Sequence, residues 1–303
     1  MLRRAEAIGI VRTTVSAPAG IHSEVEEAME ETFGLKEAIV IESGSDEDTI
    51  ARDLGGAAAY LIESTVKGHE VIGISCWSQA LLAMVNGLQP ARSEGGGKVV
   101  QILGGIGNPG VQSHATQLTQ RLAHLLLATP VLLPAPGIVG SKAARNVLLN
   151  DPYVQQAMSL FGSLDIALVG IGALEPSRML RRSGNVFGEQ EMRVLSEAGA
   201  VGDICLQFFD ANGLPVRSAF SSRVISIPLQ DLKRTPCVIG VAGGQRKVEA
   251  ILAALRGSWV NTLITDHPTA LALLAAQGSG KKAHSSLTGT RRSASAGGNG
   301  RTG

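Results

Sequence analysis

Seven short runs of branched and apolar residues constrain this chain more than any other feature. They are AIVIES (38–43), EVIGIS (70–75), KVVQIL (98–103), PVLLPAP (130–136), DIALVGIG (165–172), CVIGVAGG (237–244) and NTLITD (261–266). Most run into glycine or small polar residues and then into a segment of helical periodicity. A continuous Val/Ile/Leu run, without polar alternation, is the pattern of a strand buried on both faces. Such strands alternating with helices predict an α/β fold built on a mostly parallel, doubly wound sheet. Sheets of this kind bind small ligands in the loops at the carboxyl ends of their strands.

The helices expected between these runs lie over 23–33, 47–67, about 78–87, about 112–127, about 152–160, 246–256 and 268–276. Ser23 reads as an N-cap of the first. ICLQFFD (204–210) and RVISIPL (223–229) read as antiparallel or edge strands around a turn at Asn212-Gly213. At the front, residues 2–8 read as the end of a helix stopped by Gly9, and 10–15 as a short strand.

With 44% hydrophobic residues the chain has enough apolar material for a sizeable core, which excludes wholesale disorder. No apolar run reaches the ~18 residues of a membrane-spanning helix, and the N-terminus is a poor secretory signal. Cys76, Cys205 and Cys237 are odd in number and far apart, forming neither a disulfide framework nor a metal signature. A cytoplasmic location is the simplest expectation. The overall charge of +1 hides an asymmetry: residues 19–277 carry −6, residues 1–18 carry +2 and residues 278–303 carry +5. An acidic body is a poor surface for a phosphate backbone. The Gly/Ser-rich tail 278–303 reads as disordered, either solubilising or a weak nonspecific nucleic-acid contact.

Four strand-to-helix junctions suit a ligand. In the first, Ser75, Cys76, Ser78 and Gln79 follow a strand and open a helix, where backbone N–H groups and the helix dipole favour an anion such as phosphate. A plain N-cap at Ser78 is the alternative. In the second, Gly104-Gly105 precede a helix that carries His114; the full GxGxxG register is missing, so no dinucleotide site is read there. In the third, Asp203 in GAVGD either solvates a turn or accepts hydrogen bonds from vicinal sugar hydroxyls. In the fourth, Gly243-Gly244 precede Lys247 at a helix start, which fits a phosphate or a plain surface lysine. No HExxH, GxSxG or metal-ligand spacing occurs, so no catalytic residue, metal or cofactor is assigned, and binding precedes catalysis as the reading.

Taken in order, IGISCWSQALLAMV (72–85), VVQILGG (99–105), LPAPGIV (133–139), VGIGAL (169–174), GAVGDICLQFFDANG (199–213), VIGVAGGQRKVEAILAALRG (238–257) and NTLITD (261–266) resemble the effector domain of the SorC (DeoR-like) family of sugar-binding transcriptional regulators. The resemblance spans roughly 20–276. It implies a fold similar to glucosamine-6-phosphate and ribose-5-phosphate isomerases, with ligand sensing in place of catalysis. It also implies a phosphorylated sugar as effector and a homo-oligomer, dimer or tetramer. Carried over by motif, the effector site comprises Ser75, Cys76, Ser78, Gln79, Gly104, Gly105, His114, Arg182, Asp203, Gly243, Gly244 and Lys247. The assigned physical roles are backbone amides and Lys247 for phosphate, and Asp203 for hydroxyls. Ala80 stands where many members carry Thr, and Leu103 where some bisphosphate binders carry Arg; the second difference points away from a bisphosphate. Residues 1–18 resemble only the last helix end and wing strands of the family's winged helix-turn-helix, so operator DNA is expected as a partner only where a complete one is supplied. The alternatives are a stand-alone sugar-phosphate-binding protein and an isomerase or deaminase of the same fold, with Asp203 as its base.

Overall fold

A computed structural model describes residues 22–91, 95–107, 109–185 and 187–289, with backbone alone at 109–114, 178 and 279–289. The expected helix end at 2–8 and strand at 10–15 lie outside the described residues, as does 290–303. In chain order the helices and strands are α1 (Ser23–Phe33), β1 (Glu37–Ile41), α2 (Glu47–Thr65), β2 (Val71–Ile74), α3 (Gln79–Gly87), β3 (Lys98–Gln101), α4 (Pro109–Leu125) and β4 (Thr129–Val131). They continue with α5 (Lys142–Leu149), α6 (Pro152–Met158), β5 (Ile166–Val169), β6 (Gly172–Ala173), α7 (Arg178–Ser183), α8 (Glu189–Glu197), β7 (Ala200–Ile204) and β8 (Gln207–Asp210). The last are α9 (Leu229–Arg234), β9 (Cys237–Val241), α10 (Val248–Arg256), β10 (Thr262–Asp266) and α11 (His267–Gly289).

All seven apolar runs supply strands of one parallel sheet, in the order β1-β10-β9-β5-β2-β3-β4. The central strand β5, and β10 beside the edge strand β1, are buried along their whole lengths. Each Leu or Ile fully buried there contributes about 1.5–3 kcal/mol by transfer from water. From β2 the chain moves outward through β3 to β4; from β5, next to β2, it moves the opposite way through β9 to β10. With the chain winding in two directions from neighbouring strands, a crevice opens at the carboxyl ends of β2 and β5.

Local chemistry sets the helix ends. Asp46 caps α2 by accepting the Thr49 N–H at 2.9 Å, and these bonds hold its carboxyl below the usual range. Ser141, Asp151 and Ser177 cap α5, α6 and α7 in the same way. Gly34 ends α1 in the left-handed region at φ 67°. Ser23, expected as the cap of α1, is its first helical residue, and His22 occupies the cap position without a side-chain bond.

Other expectations are corrected. The segment 204–210 is not one strand. Cys205 and Leu206 turn at φ 52° and 62°, so β7 and β8 form a tight antiparallel hairpin, and β6 joins them in a second, three-stranded sheet. The Asn212-Gly213 turn follows this hairpin, its Gly213 N–H closing on the Asp210 carbonyl at 2.8 Å. RVISIPL makes only isolated bridges, Val224 to Ile138 and Ser226 to Leu103, because it crosses the loops above the sheet instead of joining a ladder. Of PVLLPAP only Pro130 and Val131 join the ladder, and Pro136 makes isolated bridges to Gly105 and Ile106; Pro134 and Pro136 lack the N–H a longer ladder needs. Helices α5, α7, α8 and α9 are not among the expected ones. The final helix continues through Gly289, well past the expected end at 276 and through the start of the Gly/Ser-rich segment.

Candidate functional site

A cavity of about 310 Å³ opens at the crevice between the carboxyl ends of β2, β5 and β9. Its size suits a small metabolite. One wall is the loop after β2, with Ser75, Trp77, Ser78, Gln79 and Ala80; another is the loop after β5, from Gly170 to Ala173. The loop after β9, Val241 to Lys247, and the first turns of α2 complete it.

The hairpin of the small sheet delivers Asp203. It faces Gly172 across the β6–β7 pairing, and a Cβ on Gly172 would stand 2.2 Å from its Oδ1, so only glycine leaves room for the carboxylate. Asp203 is 9% exposed, and its Oδ2 accepts the Leu206 N–H at 2.9 Å. Burial raises its pKa to about 6, against the smaller lowering effects of the Leu206 N–H and the Lys247 charge. Asp203 therefore lies within its strand and also braces the turn after it, where the sequence had placed it ahead of a strand.

Lys247 ends the 3₁₀ turn Gln245–Lys247 and occupies the N-cap position of α10. It is half-buried and lines the cavity, and its ammonium has no hydrogen-bond or ion-pair partner among the described residues. Burial and then the neighbouring Arg246 charge lower its pKa, while Asp203 and Glu47 pull it upward. The other charges on the cavity wall are committed to one another. Arg246 donates from Nε to Glu47 at 2.8 Å and from Nη1 to the Glu175 carbonyl at 3.3 Å. Arg181 reaches Glu175 at 3.2 Å. Of the charged groups on the wall, this leaves the Lys247 ammonium and the Asp203 carboxylate free to meet a ligand.

The Gly243-Gly244 loop is built differently from expectation. The Gly244 N–H donates to Asp266 Oδ2 at 2.7 Å and to Thr269 Oγ1 at 2.8 Å. A Cβ on Gly243 would stand 2.1 Å from the same carboxylate oxygen. Asp266, at the end of β10, thus takes the Gly244 amide assigned to phosphate, and the glycines let the loop wrap this carboxylate and aim Lys247 into the cavity. Likewise Ser78 caps α3 by accepting the Leu81 N–H at 3.3 Å, with its own O–H proton still available. Gln79 donates to Asp48 at 3.2 Å on the rim.

Of the expected site residues, the cavity brings together Ser75, Ser78, Gln79, Asp203, Gly243, Gly244 and Lys247. Cys76, Gly104, Gly105 and Arg182 are not on its lining. Cys76 is buried in the core, its Sγ 3.4 Å from the Leu103 carbonyl, and burial drives its thiol pKa strongly up. Gly104 and Gly105 are packing positions: a Cβ would meet the Pro136 carbonyl at 2.4 Å and the Gln101 amide at 2.4 Å, respectively. Arg182 is exposed, pointing about 100° around the helix from Arg181, which does reach the cavity's rim network. His114 lies in the first turns of α4, with its side chain outside the described set. Sequence reasoning missed Glu47, Glu175, Cys205 and Arg246; Trp77 lies in the 75–79 loop it did assign. Glu47 was findable, because SGSDE after the first strand is one more strand-to-helix junction. Cys205 was not, since its place depends on the hairpin turn; burial pushes its thiol up to about 12.

Among the described residues no helix is long and apolar enough to cross a membrane. Residues 18–275 match the family described as "Putative sugar-binding domain". The chain is 34% identical over 275 residues to the deoxyribonucleoside regulator of Bacillus subtilis, covering 90% of this chain and 87% of that one. It is 32% identical over 280 residues to the sorbitol operon regulator of Klebsiella pneumoniae, with the same shares covered. The crystal structure of the full-length sorbitol operon regulator SorC from Klebsiella pneumoniae superposes with a TM-score of 0.78 at 30% identity, covering 90% of this chain and 87% of that one. On the family match, the identities and the shared fold, this chain belongs to the SorC/DeoR-type sugar-binding transcriptional regulators, whose sugar-binding domain it carries.

Proposed function

We propose that the cavity holds a phosphorylated sugar or a closely related phosphorylated metabolite, and that its occupancy controls DNA binding at a carbohydrate or nucleoside operon. The observation that carries this reading is one unpartnered ammonium, Lys247, and one buried carboxylate, Asp203, facing the same cavity at the sheet's switch point. Lys247, at the start of α10 where the helix dipole adds to its charge, holds the phosphate. Asp203 accepts hydrogen bonds from sugar hydroxyls, and the Ser75 and Ser78 hydroxyls complete the polar lining. With Lys247 the single free cation on the lining among the described residues, one phosphate is bound, not two. The protein acts in the cytoplasm as a homo-oligomeric sensor, without turnover, and contacts operator DNA only where a complete winged helix-turn-helix is supplied.

The relatives' names, deoxyribonucleoside and sorbitol operon regulators, direct the test toward phosphates of pentoses, deoxypentoses and hexitols. A thermal-shift screen of the full chain against such a panel is the experiment. A ligand at a hundredfold excess over its dissociation constant stabilises by ~2.7 kcal/mol. For a domain of this size that raises Tm by roughly 5–10 °C. A shift with one phosphorylated sugar and none with its unphosphorylated parent supports the reading; no shift across the panel contradicts it.

One observation favours a second reading. A carboxyl raised to about 6 beside a lysine is also the arrangement of a general base, as a sugar-phosphate isomerase or deaminase requires. Consumption of the stabilising ligand, followed by NMR and abolished by Asp203→Asn, would establish it in place of the sensor.

A further inference from the structure

We infer that His22, Glu42 and His267 form a binding site for a borderline divalent transition-metal cation, of the Zn²⁺ class, at the carboxyl edge of β1 and β10. Three separate stretches of chain converge there. His22 caps α1, Glu42 directly follows β1, and His267 opens α11 directly after β10. One potential ligand atom from each lies within 4.8 Å of the other two. Glu42 Oε1 stands 3.1 Å from His22 Nε2 and 3.6 Å from His267 Nδ1. Those separations bracket the edge of about 3.3 Å between ligands of a tetrahedral zinc with bonds of 2.0–2.1 Å.

The arrangement lacks a simpler explanation in hydrogen bonding. His22 Nε2 is buried and has no hydrogen-bond partner, although the Glu42 carboxylate is only 3.1 Å away. The nitrogen and oxygen are close without being aligned for an N–H···O bond. A cation between them would satisfy both, where the bare pair leaves a buried polar atom unmet. The two imidazoles lie stacked, with centroids 4.2 Å apart at 15°, so binding requires at least one ring to turn out of the stack to bring both nitrogens onto one ion. Two imidazoles and one carboxylate suit Zn²⁺, Co²⁺ or Ni²⁺, with water completing the coordination. Glu42 is the accessible member, with a side chain 64% exposed, so the ion enters from solvent.

None of the three residues lines the effector cavity, so the site stands independently of the proposed effector. Its consequence is mechanical: an ion there ties the start of α1 to the sheet edge formed by β1 and β10. The test is calorimetric titration of Zn²⁺ into chelator-treated full chain, with Co²⁺ absorption as an independent readout of imidazole ligation. One saturable equivalent is expected, with a visible Co²⁺ ligand-field band. His267→Ala and Glu42→Gln should each weaken Zn²⁺ by at least about tenfold, whereas His69→Ala, at an exposed position elsewhere, should not. Should His267→Ala fail to fold by circular dichroism, Glu42→Gln decides alone. Absence of saturable uptake, or undiminished affinity in Glu42→Gln, overturns the site.

Discussion

Asp203 is held where burial opposes its charge, and that has a measurable sign. Its pKa rises from 3.8 to about 6 on folding. A raised acid stabilises the fold fully below its unfolded value and loses that contribution as pH climbs through the folded value. The window is therefore about pH 4 to 6, and the shift of about two units corresponds to about 3 kcal/mol. Denaturant melts of the ligand-free protein should show Asp203→Asn gaining on the wild type by up to that amount between pH 4 and pH 7; parallel curves would contradict the burial argument. The same substitution should weaken effector binding, since the carboxylate stays charged at neutral pH for that role. Gly172→Ala tests the fit around it. The new Cβ displaces Oδ1, so effector affinity should fall at least tenfold in calorimetry while the circular dichroism spectrum is retained.

The loop after β9 is the element that aims Lys247, and Asp266 holds it. Asp266→Ala removes an acceptor from the Gly244 and Thr269 N–H groups and should cost about 1–3 kcal/mol in urea unfolding. The Glu47–Arg246 pair on the rim is different. Its partners are substantially exposed, so Glu47→Gln should cost less than about 1 kcal/mol in the same assay. At this scale the sequence was legible where information is local. The strands show as unbroken Val/Ile/Leu runs, and the ligand loops after β2 and β9 show as small residues between strand and helix. It was not legible where partners are distant. Arg246 meets Glu47 across 199 positions, and Gly244 meets Asp266 across 22. Nothing in AGGQRK announces that its amide is already taken by a carboxylate. The 205–206 turn was hidden too, because Cys and Leu are poor indicators of positive φ.

At the scale of the whole molecule, winding outward in two directions from β2 and β5 creates the crevice, and three loops distant in sequence fill it. Their charges cancel in pairs except at Lys247 and Asp203, so a ligand with one anionic end and a run of hydroxyls matches what remains. Gly104-Gly105 and Cys76 show why a motif in the right loop is insufficient. They belong to the same strand ends, but their atoms face the packed interior, and only the fold separates lining from support. The direct measurement is calorimetry of a phosphorylated sugar and its unphosphorylated parent against the wild type and Lys247→Ala. Lys247→Ala should lose roughly 10–100-fold for the phosphorylated ligand, the worth of a charge-assisted hydrogen bond, with little change for the parent. Equal loss for both ligands, or undiminished binding of the phosphorylated one, would contradict the phosphate role of Lys247.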